Sequence, residues 1–296
     1  MREARAWAEP REPDRTEAWS TTDFPYQCLV DARRTTAFQS AIAAVVKPGD
    51  VVVDAGAGSG ILSFFAAQAG AARVYSVEMQ PHLASCLARS IRANGLSHVV
   101  EMVSGDVRTA RLPRGVDVVI CEMIDTGLMD EMQVAVLNTL LDRGVIAEHT
   151  RSIPFRYETF VELGSCDFRY YGFTVLAPRH DWPHYRRASD GWLPTAFQPF
   201  SAPHRVTEVD LRQPMGCAVD AMVGVPMAEG GRLNAVRVSG RAELADGITL
   251  GATGALNGDK VIPVAETRVG VGQVVRARIS YRMGGGLDTF QARFAR

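Results

Sequence analysis

The sequence predicts a doubly wound α/β domain followed by a β-rich domain, and two patterns support this prediction. Between residues 50 and 147, short runs of apolar residues alternate with helical segments, as a parallel sheet with helices on both faces requires. After His149–Pro154, the helical patterns give way to short segments in which apolar and polar residues alternate. We therefore predict an N-terminal helical segment over residues 1–49, the α/β domain over 50–150, and a β-barrel-like or sandwich domain over 151–296.

The elements of the α/β half follow one another in a regular order. Phe38 and Ile42 lie on the apolar stripe of a helix predicted from Asp31 to Val46. Three valines, residues 51–53, then form a short buried strand. The later elements are predicted as a helix over 61–69, a strand over 73–77, a helix over 81–95, strands over 99–103 and 116–121, a helix ending near 142, and a strand near Gly144–Ala147.

Two segments define the β-rich half. Every second residue of Gln273–Met283 is apolar, which predicts a half-buried antiparallel strand. The glycines of residues 284–286 turn this strand into a partner that carries Phe290 and Phe294 on one face. Asn257-Gly258 is a strong signal for a hairpin turn.

Length and composition suit a soluble protein of two domains. The chain has 296 residues, of which 47% are hydrophobic and 22% charged, which is ordinary for globular domains. A formal net charge of −1 gives no general attraction to nucleic acid or membranes. The five cysteines show no metal-binding spacing. We expect a cytoplasmic protein with no metal, no membrane association and no nucleic-acid partner.

A glycine-rich turn follows the first strand and predicts an adenosine site. Gly56, Gly58 and Gly60 stand between the valine strand and the helix that begins near residue 61. Glycine permits the tight turn and lets a ligand approach the backbone, and the helix N-terminus offers free N–H groups. Glu78 ends the second strand, 24 residues after Asp54, where an acid can bind a ribose diol.

The details of this turn favour S-adenosylmethionine (SAM) over NAD. The glycines are spaced G-x-G-x-G, whereas the dinucleotide fingerprint is G-x-G-x-x-G. Asp54, directly before them, suits a cationic amino-acid group better than a pyrophosphate. Met79 lies beside Glu78, and Asp106 and Val107 follow the third strand, where they can meet the adenine. The alternatives are a glycine loop that serves packing alone and, for Asp106, an ordinary turn residue.

An acidic segment, Glu122–Glu131, ends the fourth strand and predicts the acceptor site. Its acids are Glu122, Asp125, Asp130 and Glu131. Carboxylates in a cofactor crevice need a partner, because burying a lone charge is costly. Two carboxylates suit a guanidinium, whose N–H donors match a carboxylate bidentately. We therefore expect Glu122, Met123, Asp125 and Glu131 to contact the substrate.

Taken together, these stretches resemble the protein arginine methyltransferases, which transfer a methyl group from SAM to guanidino nitrogens. Residues 52–62 resemble the first SAM motif of that family, and Glu78 stands at its ribose-binding position. Glu122 and Glu131, nine residues apart, resemble the paired glutamates of its double-E hairpin. The family's order of a Rossmann-like SAM domain followed by a β-barrel agrees with the order predicted here.

The resemblance also implies roles that the residues alone do not indicate. Residues 29–38 resemble the helix that covers the cofactor, in which Arg34 would bind the SAM carboxylate. S-adenosylhomocysteine would be the product. Glu122 and Glu131 would hold the guanidinium, and one of them, or Asp125 or Asp130, would take its proton.

The chain departs from the family at three places. Residues 123–126 read Met-Ile-Asp-Thr where the family has Trp-Met-Gly-Tyr, and Arg108 stands where an adenine-facing glutamate is common. No Thr-His-Trp occurs in the second half, where residues 255–257 are the nearest counterpart.

The formal charge is −5 over residues 1–150 and +4 over 151–296. A mildly basic second domain favours a small guanidino compound that carries a carboxylate over an arginine-rich tail.

Three other functions stay open. The acceptor could be a protein or peptide arginine, or a nucleobase or hydroxyl on the same fold. A non-catalytic SAM-binding partner is the third alternative, although the combined presence of Arg34, Asp54, Glu78, Glu122 and Glu131 argues against it.

Aromatic residues crowd the interval 168–200, among them Tyr171, Phe173, Tyr185 and Trp192. In the resembled family this region carries the arm that forms the dimer, so the resemblance implies a homodimer. A barrel core or a lid over the substrate is the alternative. His180 and His184 lie four residues apart without a third ligand, so we expect no metal there.

Overall fold

The computed structural model describes residues 23–183 and 196–295 of the chain. Two helices open this part, α1 over Phe24–Val30 and α2 over Ala32–Val45. Asp31 lies between them and caps α2, because its carboxylate accepts the backbone N–H of Arg34 at 3.1 Å. The prediction of this helix is confirmed to within one residue at each end. None of the described helices is long and apolar enough to cross a membrane.

The α/β half is built on a five-stranded parallel sheet with the strand order β3-β2-β1-β4-β5. Its central strand carries Val52 and Val53, which are fully buried because helices cover both faces of the sheet. The predicted doubly wound fold is confirmed. The elements are β1 (Val51–Ala55), α3 (Ile61–Gln68), β2 (Arg73–Glu78), α4 (Pro81–Ala93), β3 (Val100–Ser104), β4 (Val118–Cys121), α5 (Gln133–Asp142) and β5 (Arg151–Ile153).

The fifth strand lies later in the chain than predicted. Gly144–Ala147 is a turn, in which Gly144 has a φ of +69° and the Val145 carbonyl accepts the backbone N–H of Val116 at 3.0 Å. Its apolar residues are buried without forming a ladder, so apolar character alone was a misleading signal. The true strand, Arg151–Ile153, pairs with β4. The limits of the predicted domains remain predictions.

Antiparallel sheets make up the second half. A seven-stranded sheet has the central order β10-β6-β13-β15-β9, with β11 paired to β6 and β14 to β13. A three-stranded sheet has the order β12-β16-β17. These strands are β6 (Arg156–Ser165), β7 (Arg169–Tyr170), β8 (Phe173–Thr174), β9 (Arg179–Asp181), β10 (Gln198–Pro199), β11 (His204–Asp210), β12 (Ala218–Pro226), β13 (Gly231–Ala245), β14 (Ile248–Leu250), β15 (Asp259–Val269), β16 (Val274–Arg282) and β17 (Gln291–Ala295).

The predicted strand pair near the C-terminus is confirmed, but the predicted hairpin turn is not. Strand β16 alternates buried and exposed residues and pairs antiparallel with β17. Asn257-Gly258 joins no hairpin, because β14 and β15 both pair with β13 rather than with each other. Asn257 has the positive φ that its turn propensity favours, +51°, but it is buried and its amide oxygen accepts the Tyr157 hydroxyl at 2.8 Å.

The predicted aromatic interval divides into a buried and an exposed part. Phe168 and Phe197 lie in a small buried cluster. Strands β7 and β8 form a hairpin (the exposed hairpin) on which Tyr171 is 97% and Phe173 72% exposed. Tyr185, Trp192 and His184 fall outside the described residues.

Candidate active site

A cavity opens at the carboxyl ends of the parallel strands, the edge at which sheets of this kind bind ligands. Every strand from β1 to β4 contributes the residue or turn that follows it, and α1 covers one side with Phe24 and Pro25. The predicted site residues that line this cavity are Arg34, Gly56, Gly58, Glu78, Met79, Asp106, Val107, Glu122, Met123 and Glu131.

Glu78 fixes the glycine turn and faces the cavity. Its two carboxylate oxygens accept the backbone N–H groups of Gly58 at 2.9 Å and of Gln80 at 2.8 Å. Gly56 and Gly58 have φ values of +76° and +52°, which glycine adopts at no steric cost. Each carboxylate oxygen retains capacity to accept from a ribose hydroxyl, since the group offers about four acceptor sites. The position suits the predicted role.

Asp54 and Gly60 lie behind the glycine turn and do not line the cavity. The Asp54 carboxylate accepts the Ser63 hydroxyl at 2.6 Å, and burial raises its pKa to about 6. A side chain at Gly60 would collide with Leu87 of α4, so this glycine serves packing. Direct contact of Asp54 and Gly60 with the cofactor remains a prediction. They shape the turn from beneath.

Asp106 is paired with Arg108, which stands where the resembled family often has a glutamate. Arg108 donates to both Asp106 oxygens, from Nε at 2.9 and 3.0 Å and from a terminal nitrogen at 2.6 Å. Burial opposes ionisation of Asp106, but the hydrogen bonds and charge of Arg108 outweigh it and lower the pKa. Both residues line the cavity beside Val107. Contact of Asp106 with adenine remains a prediction.

Arg34 and Glu122 form an ion pair across the cavity wall. Arg34 is 5% exposed and also donates to the Cys28 carbonyl at 3.2 Å. Its Nε is buried and has no hydrogen-bond partner in the described chain. Burial lowers the pKa of Arg34, although a guanidinium keeps its charge in proteins. Glu122 therefore already binds a guanidinium group, which belongs to Arg34, the residue predicted to bind the cofactor carboxylate.

Glu131 faces the same cavity, and its carboxyl group has no hydrogen-bond partner among residues 23–183 and 196–295. Burial, reinforced by the charge of Asp125, raises its pKa to about 8. In the protein alone, Glu131 is therefore largely protonated at neutral pH. The two glutamates look alike in the sequence, because their spacing does not reveal that Arg34 neutralises one of them.

This raised pKa predicts how stability depends on pH. A carboxyl group whose folded pKa lies above its unfolded value destabilises the fold as pH rises between the two values, here from about 4.5 to about 8. Relative to Glu131→Gln, the wild type should lose unfolding free energy across this window, on the order of a few kcal/mol at most. Urea denaturation of both proteins at pH 5 and pH 8.5 measures the difference, and parallel profiles would contradict the assignment.

Asp125 and Asp130 do not line the cavity, and their carboxylates are paired with other groups of the protein. The Asp125 carboxylate accepts three successive backbone N–H groups, those of residues 129, 130 and 131, at 3.0 to 3.1 Å. It also pairs with Lys260 at 2.6 Å. Asp130 pairs with Lys260 at 3.0 Å and with His180 at 3.6 Å. Contact of Asp125 with the substrate remains a prediction, as does the identity of the proton acceptor.

Two supporting residues were missed by the sequence analysis. Gln133 accepts the Met123 backbone N–H at 2.9 Å and donates to the Cys121 carbonyl at 2.8 Å, so it fixes the start of the acidic segment. Lys260 is fully buried beneath that segment. A signal was present, because Lys260 is one of only two lysines among 32 basic residues.

The described residues contain no group of His, Cys, Asp and Glu side chains that could hold a metal ion. Of the two histidines considered for metal binding, His180 lies against Asp130. The other, His184, lies outside the described part.

Comparisons with known proteins support a methyltransferase fold. The TRM5/TYW2 methyltransferase domain family matches residues 31–162. An uncharacterized protein of Methanothermobacter thermautotrophicus is 32% identical over 273 residues, which are 92% of this chain and 97% of the relative. An uncharacterized protein of Methanocaldococcus jannaschii is 38% identical over 47% of this chain, and the match spans 52% of that relative.

Arginine methyltransferases are similar over shorter stretches of sequence and over the whole fold. The probable histone-arginine methyltransferase CARMER of Drosophila melanogaster is 41% identical over 35% of this chain, but the match covers only 20% of that protein. The Trypanosoma brucei PRMT1 enzyme–prozyme heterotetrameric complex with AdoHcy has a TM-score of 0.72 at 17% identity. The alignment covers 93% of this chain and 98% of that one, so the shared fold includes the β-rich half.

Proposed function

This chain belongs to a family of SAM-dependent methyltransferases with the protein arginine methyltransferase fold, and on that premise we propose that its methyl acceptor is a guanidino nitrogen. One observation carries the proposal. Glu122 binds the guanidinium of Arg34, while Glu131 faces the same cavity and its carboxyl group has no hydrogen-bond partner in the described part of the chain. The pair can therefore receive a planar cation with several N–H donors.

The cavity residues fit the cofactor. The unpartnered Nε of Arg34 is a donor for a carboxylate, and Glu78 is an acceptor for a ribose. Gly56 lines the cavity and has no side chain, so a ligand can approach its backbone closely. When bound, SAM supplies a methyl group already activated on a sulfonium. Residues Arg34, Gly56, Gly58, Glu78 and Met79 would hold it.

The protein's own task is to orient the acceptor and to accept a proton. Glu122 and Glu131 would hold the guanidinium and direct one nitrogen toward the methyl group, and α1 would exclude water above it. Glu131 is the better proton acceptor, because a pKa of about 8 makes it more basic than an ordinary carboxylate. A cationic acceptor beside it favours its ionised form, so acceptor binding itself would prepare the base.

A small acceptor is supported by the charges of the β-rich half. Glu158 is paired with Arg205 and Arg241, and Glu162 is paired with Arg237. These acids lie on β6, the strand that follows the α/β half, and both are neutralised within the fold. An arginine-rich tail would gain little from acids already paired. We therefore favour a free guanidino metabolite that carries a carboxylate.

A methyl-transfer assay with tritiated SAM tests the acceptor class. We expect label in arginine, less in agmatine, which lacks the carboxylate, and much less in a peptide that contains arginine. Citrulline is the matched control, because it has the shape of arginine but a neutral ureido group, and it should stay unlabelled. Preferred labelling of the peptide would move the function to a protein substrate, and labelling of nucleosides or hydroxyl compounds alone would contradict a guanidino acceptor.

The exposed hairpin supports a homodimer. Exposed aromatic residues in one place are typical of an interface rather than of a monomer surface, and Tyr171 and Phe173 lie together on the hairpin. We predict a dimer at micromolar concentration that Tyr171→Ser/Phe173→Ser converts to a monomer, as measured by light scattering. Exposed Met222 on β12 provides the control variant Met222→Ser, which should stay dimeric. A monomeric wild type would contradict the prediction.

A further inference from the structure

We propose that Lys260 is a positioning residue, which together with Asp125 and Asp130 holds the acidic segment in place and supplies a positive charge that favours the ionised form of Glu131. The inference rests on the proposed function, since it concerns how that site is held. Lys260 does not line the cavity, so it is not placed to contact a substrate.

The Lys260 ammonium is enclosed by the acidic segment. Its side chain is fully buried, and Nζ lies 2.6 Å from Asp125, 2.7 Å from the Thr126 carbonyl and 3.0 Å from Asp130. An ammonium has three N–H donors, and three acceptors surround it. Because a buried charge is costly without partners, the ammonium and the two acids depend on one another.

The carboxylate of Asp125 connects Lys260 to the backbone of Glu131. Asp125 accepts the backbone N–H groups of Met129, Asp130 and Glu131 with the same carboxylate that binds Lys260. These bonds fold the end of the acidic segment into a closed turn. The position of the Glu131 side chain is therefore set by a carboxylate whose own charge Lys260 compensates.

Lys260 also joins the two halves of the chain. It lies on β15, whereas the acidic segment follows β4 of the parallel sheet. Two neutral contacts accompany it, from the Thr126 hydroxyl to the Gly258 carbonyl at 2.8 Å and from the Gly127 N–H to the Tyr157 hydroxyl at 3.1 Å. Lys260 adds the one ionic contact among these three.

The surrounding charges act on Glu131 in opposite directions. Two acids, Asp125 and Asp130, raise the pKa of Glu131, and two cations, Arg34 and Lys260, lower it. Two further charged or titratable groups pair with members of this set: Glu122 with Arg34, and His180 with Asp130. The thiols of Cys28 and Cys121 are also near, but burial raises their pKa and keeps them neutral. Without Lys260, the buried Asp125 and the half-buried Asp130 would remain beside Glu131, and the pKa of Glu131 would rise further.

The choice of lysine is informative in this chain. Arginine accounts for all but two of its 32 basic residues, so a buried lysine departs from the usual choice of basic residue here. A compact ammonium directs its three donors tetrahedrally, whereas a guanidinium is planar and larger. The small enclosed space between Asp125, Asp130 and the Thr126 carbonyl therefore requires the ammonium.

Carboxyl titration by NMR tests the proposal without any acceptor. Protein labelled with 13C in the glutamate carboxyl group gives a Glu131 signal, which is identified by its loss in Glu131→Gln. We expect the titration midpoint to rise by about one pH unit in Lys260→Met and to fall in Asp130→Asn. Shifts of opposite sign distinguish an electrostatic role from general damage. An unchanged midpoint in folded Lys260→Met would overturn the proposal.

A second pair of variants covers the case in which Lys260→Met does not fold. Lys260→Met/Asp130→Asn removes one cation and one anion together, so the buried charge stays balanced. Its midpoint should lie above that of Asp130→Asn alone and near that of the wild type. Equal midpoints in these two proteins would show that Lys260 does not act on Glu131.

Methyl transfer gives the functional readout. A rise of one unit in the pKa of Glu131 reduces its ionised fraction in the acceptor-free protein at neutral pH about tenfold, so kcat/KM of Lys260→Met for the acceptor should fall about tenfold and recover as pH rises. SAM affinity should stay near the wild-type value. A loss that high pH does not restore would indicate disruption of structure and contradict the charge role. Failure of the wild type to methylate any guanidine would refute the proposed function and leave the NMR result standing.

Discussion

Glu122→Gln should lower the rate of methyl transfer to a guanidino acceptor on the order of a thousandfold. The substitution keeps the shape of the side chain and removes its charge. Truncating one partner of a buried, hydrogen-bonded charge pair costs several kcal/mol, and about 1.4 kcal/mol corresponds to a tenfold change in rate. Glu131→Gln should have an effect of similar size, because it removes both a contact and the proposed proton acceptor.

The cofactor provides the control for this prediction. In Glu122→Gln, Arg34 loses the carboxylate with which it is paired, so it becomes freer to bind the carboxylate of SAM. Calorimetry should show SAM affinity equal to or higher than that of the wild type. If both glutamine variants methylate the acceptor at near wild-type rates, the acceptor is not a guanidinium, and a nucleobase or hydroxyl takes its place.

Glu78→Ala should weaken SAM binding by about 1.5–3 kcal/mol, which is roughly a 10- to 150-fold increase in Kd. Glu78 would lose its bond to the ribose and also its bonds to the Gly58 and Gln80 N–H groups, which hold the glycine turn.

The matched control for Glu78→Ala is Glu101→Ala. Glu101 is an exposed acid on β3 that pairs with Arg73, so its loss should leave Kd unchanged. Both variants are measured by calorimetry with SAM and S-adenosylhomocysteine. Wild-type affinity in Glu78→Ala would remove Glu78 from the cofactor site.

The fold was predictable because local patterns and long-range packing agree in the α/β half. The valines of β1 indicate a strand covered on both faces, and Glu78 ends the next strand, so parallel pairing brings the glycine turn and the acid to one edge. The fifth strand was misplaced because Val145 and Ile146 are as apolar as a strand but are buried in a turn. Arg151–Ile153 is short and begins with a charged residue, which gives little signal.

The site was predictable in its members but not in its pairings. The motifs identified Arg34, Glu122 and Glu131, yet spacing along the chain does not show that Arg34 lies on Glu122. Asp125 and Glu131 look equivalent in the sequence, although within the described residues the Asp125 carboxylate accepts three backbone N–H groups and the Glu131 carboxylate accepts none. The roles of these acids depend on their contacts with Lys260, which lies in the other half of the chain, more than 120 residues later in the sequence.

Binding of arginine to the protein saturated with S-adenosylhomocysteine tests the central claim most directly. Calorimetry should show that the wild type binds arginine but not citrulline. The double variant Glu122→Gln/Glu131→Gln should bind no arginine. The demethylated cofactor prevents turnover, so the measurement reports the acceptor site alone. Agmatine, which lacks the carboxylate, should bind more weakly if the acceptor is an acid. Equal binding of arginine and citrulline, or undiminished arginine binding in the double variant, would contradict the account that two glutamates recognise a guanidinium.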